Sequence, residues 1–143
     1  MKKWLVCALA LVLVLCCSCN KRPMYSGSAQ ELDQILQEIT TIPVGTMGSS
    51  AIIVARATEL LGWCESTAMS SEELASTVKA YCDTMPTSAQ EMFCEQVYVV
   101  VNSVGALSRD NSRVNTLSAA GLDASQTWST RAYALASSID DQL

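Results

Sequence analysis

Histidine is absent from all 143 residues. That removes the commonest general base and the commonest metal ligand together, and with them any Ser-His-Asp or Cys-His nucleophilic set. Charge is also scarce: 16% of the chain is charged, with nine Lys and Arg against 14 Asp and Glu, for a net charge of −5. Such a balance excludes a basic nucleic-acid arm, and the 50% hydrophobic content excludes a disordered acidic tail. Aromatics make up 6%, with a single Phe, so any core is built mainly from aliphatic and small side chains. Six Gly and three Pro are too few for a collagen-like or low-complexity chain. The longest wholly apolar opening run, Trp4 to Leu15, is twelve residues. A bilayer core asks for about 20.

What is present begins at the N-terminus. Lys2 and Lys3 precede the apolar run, and Cys16-Cys17-Ser18-Cys19 and then Asn20-Lys21-Arg22 follow it. A positive start, a short apolar stretch and a polar boundary form the pattern of a secretory signal peptide. The segment resembles a bacterial lipoprotein signal, in which a small residue precedes a cysteine that is acylated and becomes the first mature residue. Ser18-Cys19 matches those last two positions. The resemblance implies a signal peptide over 1–18 and lipidation at Cys19. Residues 20–28 are polar and small, with Pro23, Gly27 and Ser28, so 19–28 reads as a lipid-anchored tether and 29–143 as the folded domain. The family prefers Leu three residues before the cysteine, where this chain has Cys16. Cys17, with Val14 in that place, is the second candidate. An uncleaved signal anchor and a cleaved, soluble secreted product are the other readings of the segment. The resemblance covers about twenty residues and none of the body. It implies a cell-envelope location, at the outer membrane or cell surface rather than the inner membrane. A metal site in the cysteine cluster is not expected, because no second ligand pair stands at finger-like spacing.

Cleavage before Cys19 leaves seven cations against 14 acids, a net charge of −7. That sign opposes both nucleic acid and anionic lipid headgroups, so membrane attachment would rest on acyl chains.

The mature chain reads as helices. Ser28 and Glu31 stand at capping-box spacing ahead of the stripe Leu32, Ile35, Leu36 and Ile39, and Pro43 and Gly45 stop that helix. Gly48-Ser49-Ser50 restarts the chain, with a seam of Ile53, Ala57, Leu60 and Cys64. Ser70 or Ser71 caps a third helix, favoured by Glu72 and Glu73 at its N-terminal end, with a seam of Ala75, Val78, Cys82 and Met85 before Pro86. Ser88 and Glu91 suggest a second capping box. The helix behind them carries Cys94, Val97, Val101 and Val104, widened by Phe93, Val100 and Leu107. The runs Val97 to Val101 and Ile52 to Val54 have strand propensity, but their flanking caps and 3-4 spacing favour helix. After a polar break at Ser108 to Ser112, Val114, Leu117 and Ala120 predict a short helix ending at Gly121. Asp123 or Ser125 would cap a last one, with a seam of Trp128, Ala132, Leu135 and Ile139. The expectation is an all-α bundle of about five helices.

Three cysteines remain in that body. An antiparallel hairpin turning at Pro86 places Cys82 opposite Cys94, so a Cys82–Cys94 disulfide is expected, with Cys64 left buried or bridged to another molecule. No catalytic set is found. Lys79 reads as a solvated helix residue. Gly45 to Ser50 resembles a phosphate loop but has no lysine and no preceding strand. The pairs Glu72-Glu73 and Asp140-Asp141 read as helix-end charges. No metal site, cofactor or nucleic-acid partner is expected. The chain reads as a non-enzymatic envelope lipoprotein whose helical domain binds a protein partner at the membrane surface, in an assembly or pilot-like role. A surface-exposed occlusion or exclusion protein is the alternative.

Overall fold

The chain is described by a computed structural model that covers residues 24–45, 50–109 and 128–143. Five α-helices follow one another among these residues: α1 (Ala29–Ile39), α2 (Ser50–Ser66), α3 (Ser71–Asp83), α4 (Thr87–Arg109) and α5 (Thr130–Ser138). The last helix runs into a 3₁₀ turn over Ile139–Gln142. The described residues contain no strand, and the all-α expectation stands.

Local chemistry sets most boundaries. At α1 the Ser28 hydroxyl accepts the Glu31 N–H at 3.3 Å, and the Glu31 carboxylate reaches back to the Ser28 N–H at 3.4 Å. The same carboxylate also takes the N–H groups of Gly27 and Ser26, each at 2.9 Å. Those donors hold Glu31 below the ordinary carboxylate pKa, the Ser26 N–H contributing most. Ser70 is the cap of α3, paired with Glu73 in a second capping box. The box expected at Ser88 does not start α4. That helix begins at Thr87, and the Pro86 carbonyl accepts from the N–H groups of Ala89 at 2.8 Å and Gln90 at 3.2 Å. Ser129 caps α5 by accepting the Ala132 N–H, and Trp128 stands ahead of that helix. The expected short helix around Val114 to Ala120 and the caps Asp123 and Ser125 lie outside the described residues.

The core is one continuous cluster to which every helix contributes. α1 buries Leu32, Ile35, Leu36 and Ile39, the stripe expected from sequence. α2 is the central helix, packed against α1, α4 and α5. From Ala57 to Cys64 every residue but Glu59 is buried, Trp63 fully so. A stretch buried on nearly every side shows little polar face to reveal it as amphipathic. The valine run that suggested a strand lies inside α4, where Val97, Val100, Val101 and Val104 share the buried face and Tyr98 is exposed. Cys94 is not in that seam. Phe93 takes the core position, at 1% exposure, and Cys94 lies at its half-buried edge. The α3–α4 hairpin is pinned by Tyr81 against Phe93, with ring centroids 5.5 Å apart and planes tilted by 47°.

Candidate functional site

Two places in the fold concentrate specific chemistry: the docking of the N-terminal arm on the end of α2, and the cleft at the α3–α4 hairpin. The arm comes first in the chain. Its backbone turns through Gly27 at φ +77°, a left-handed conformation that glycine adopts without steric cost. A Cβ on Gly27 would lie 2.5 Å from the Thr67 Cα, 2.6 Å from the Thr67 nitrogen and 2.7 Å from the Ser66 carbonyl carbon. The arm therefore touches the α2 terminus backbone to backbone. Beside it, half-buried Tyr25 lays its ring over Gly62, where an added Cβ would come 2.8 Å from the Tyr25 Cε2. Burial raises the Tyr25 phenol pKa, helped by the carboxylate of Glu59. The Trp63 indole N–H closes the junction by donating to the Ser28 carbonyl at 2.9 Å. Residues 25–28, the distal part of the expected tether over 19–28, thus pack on the end of α2.

The Cys64 carbonyl of α2 and two carbonyls just past the helix share an unusual partner. The Arg131 guanidinium, on α5, donates to the Cys64 carbonyl at 3.0 Å, the Thr67 carbonyl at 2.8 Å and the Met69 carbonyl at 3.2 Å. A planar fork with several donors suits a helix terminus that leaves its last carbonyls unpaired. The Glu65 carboxylate meanwhile accepts the Ser129 N–H, so the starts of α5 and the end of α2 are laced twice. Buried Thr67 accepts the Met69 N–H at 3.2 Å. At the opposite end of the bundle Gln96, 2% exposed, donates from Nε2 to the carbonyls of Thr40 and Ile42, both at 2.9 Å. Arg56 ties α1 to α2 through Glu38 and bonds Glu59 at 2.6 Å.

The hairpin cleft, about 490 Å³, is lined by Lys79, Cys82, Asp83, Gln90, Glu91, Cys94 and the C-terminal Gln142 and Leu143. The register argument places Cys82 and Cys94 together, and both line this cleft. The expected disulfide, however, is not formed. Both are free thiols, as is Cys64. Burial, then the neighbouring Cys94 thiol, raises the pKa of Cys82. Cys64 is a separate case. It is fully buried on α2, and burial pushes its pKa up to about 12. Lys79 is exposed, as expected, and bonds Asp83 at 2.8 Å one turn on.

Of the other sequence candidates, Cys19 and most of the Gly45 to Ser50 loop lie outside the described residues. Glu73 is absorbed by its capping box. Glu72 lines a broad open cleft of about 770 Å³ with Ala68, Met69, Ser76 and Thr77. Asp140 and Asp141 sit exposed in the 3₁₀ turn. Among the described residues no group of three His, Cys, Asp or Glu side chains converges as a metal site, and no helix is long and apolar enough to cross a membrane. Gly27, Gln96 and Arg131 were not singled out by sequence, since their partners lie far along the chain. No family model, no curated protein and no solved structure matches this chain.

Proposed function

We propose that this chain is a lipid-anchored envelope protein without enzymatic activity, acylated at Cys19, whose helical domain binds a protein partner at the membrane surface in an assembly or pilot-like role. The observation that carries the reading is the N-terminal pattern of Lys2-Lys3, a short apolar run and Ser18-Cys19. The docked arm supports it. Folded contacts begin at Tyr25, six residues after Cys19. Six residues reach at most about 20 Å when fully extended, so an acyl anchor at Cys19 would keep the body beside the headgroups. Two or more acyl chains give stable attachment where one is marginal.

Metabolic labelling with a fatty-acid probe tests the anchor. Wild type incorporates the label and Cys19→Ala does not. Label kept in Cys19→Ala but lost in Cys17→Ala moves the site, and a wild type that takes up no label refutes the anchor. Site-specific photo-crosslinking from exposed positions of α3 and α4 in intact cells then tests the partner. A discrete adduct that disappears with the anchor-less variant is the expected result. Digestion of the body by protease added to intact cells, with no adduct, favours the occlusion role instead.

A further inference from the structure

We propose that Cys82 and Cys94 form a thiol–disulfide exchange site at the α3–α4 hairpin, in which Cys94 meets an external disulfide and Cys82 resolves it. The site does not depend on the anchor. It rests on three features of the hairpin. The two cysteines line the same cleft, one from each helix. They differ in access: Cys82 is 5% exposed and lies behind, while Cys94 is half-buried at the rim of the cleft. Their register is set by the Tyr81–Phe93 ring pair, one residue before each cysteine. Cys64 takes no part, because it is fully buried on another helix with its thiol held protonated.

The chemistry balances in two exchanges. The Cys94 thiolate attacks one sulfur of a small-molecule or protein disulfide, R–S–S–R. A Cys94–S–R bond forms, the R–S–S–R bond breaks, and the departing RS⁻ takes up the proton that Cys94 lost. The Cys82 thiolate then attacks the Cys94 sulfur, forming the Cys82–Cys94 bond and expelling the second RS⁻, which takes the Cys82 proton. Two protein thiols are oxidised and one external disulfide is reduced to two thiols. The product bridges the helices on either side of the Thr84 to Pro86 turn. In the reverse direction an external thiol attacks at the accessible Cys94 sulfur.

The probe is oxidised glutathione, added to the mature full-length protein, with acid quenching and peptide mapping. In wild type a peptide joining Cys82 to Cys94 appears, and Cys64 is alkylated only after unfolding. In Cys82→Ser, or in Cys82→Ala should a buried hydroxyl disturb the fold, a glutathione adduct accumulates at Cys94. In Cys94→Ser the adduct at Cys82 forms about ten-fold more slowly, as its poorer access dictates. Circular dichroism confirms helix in each variant. Equal adduct rates at the two positions refute the division of roles. A bridge to Cys64, or three thiols unchanged in wild type, refutes the site.

Discussion

Replacing Gly27 by Ala attacks the backbone contact between the N-terminal arm and α2, and a second glycine supplies the control. Gly27 and Gly45 have nearly the same left-handed φ, +77° and +82°. Their surroundings are opposite. A Cβ at Gly45 meets nothing within 4 Å, whereas one at Gly27 falls 2.5 to 2.7 Å from backbone atoms of Ser66 and Thr67. Gly45→Ala therefore isolates the conformational term. Left-handed backbone costs an L-residue about 1–2 kcal/mol, partly offset by the lower entropy of the unfolded alanine chain, so the net loss is about 1 kcal/mol. Gly27→Ala carries the same term plus the clash. The blocking atoms belong to the end of the central helix and have no rotamer to change, so the arm must lift. Lifting breaks the Trp63–Ser28 hydrogen bond, about 1 kcal/mol, and uncovers the Tyr25 ring from Gly62, about 1–2 kcal/mol of apolar burial. Gly27→Ala is thus expected to cost about 3 kcal/mol, some 2 kcal/mol more than its control. Urea unfolding followed by circular dichroism measures both, with a drop in melting temperature of about 10 °C expected for Gly27→Ala. Equal losses in the two variants would show that the arm is not seated on α2, and the boundary of the folded body would return to residue 29.

Three further substitutions test long-range ties and one titration. Arg131→Ala removes the donor shared by three carbonyls at the end of α2 and should cost about 2–3 kcal/mol, with Arg131→Lys restoring less than half because an ammonium cannot reproduce the planar fork; both are read from urea midpoints. Gln96→Leu leaves the Thr40 and Ile42 carbonyls without their donor and should cost about 2 kcal/mol, with hydrogen exchange at the end of α1 speeding up more than exchange in α3. The folded-state pKa of Glu31 is depressed, so the stability it confers is complete above the unfolded value of 4.5 and is lost as pH falls through the lower folded value. Glu31→Gln should accordingly flatten the stability–pH curve below pH 4.5, and an unchanged acid slope would contradict the capping role.

The legible parts of this fold are those set by neighbours in sequence. The Ser28–Glu31 and Ser70–Glu73 boxes close over three residues, and the α1 stripe and the valine seam of α4 repeat within single helices. Hairpin symmetry about Pro86 is enough to bring Cys82 and Cys94 to one cleft, since an antiparallel turn fixes register near itself. It could not set the oxidation state. α2 is legible as a helix but not as the centre, because burial of nearly every residue from Ala57 to Cys64 erases the alternation of polar and apolar faces. Cys94 fell on the expected seam, yet a small rotation of α4 gives the core to its neighbour Phe93, whose ring fills more space. Arg131 and Gln96 were invisible because they bond carbonyls 54 to 67 positions away, where no local pattern operates. Gly27 was read as linker from its Ser- and Pro-containing surroundings, a composition shared by flexible chain and by tight backbone packing.

The seating of the arm also determines how the molecule bears load. Tension on the N-terminal end does not reach a peripheral helix that could peel away alone. It passes through Gly27, the Tyr25 ring and the Ser28 carbonyl into Trp63 and the end of α2, the helix that α1, α4 and α5 all grip. Arg131 on α5, and Ser129 ahead of it through the Glu65 carboxylate, brace that same end. A pull is thereby shared across the bundle, so mechanical failure begins with detachment of a four-residue clasp while the helices behind it stay assembled.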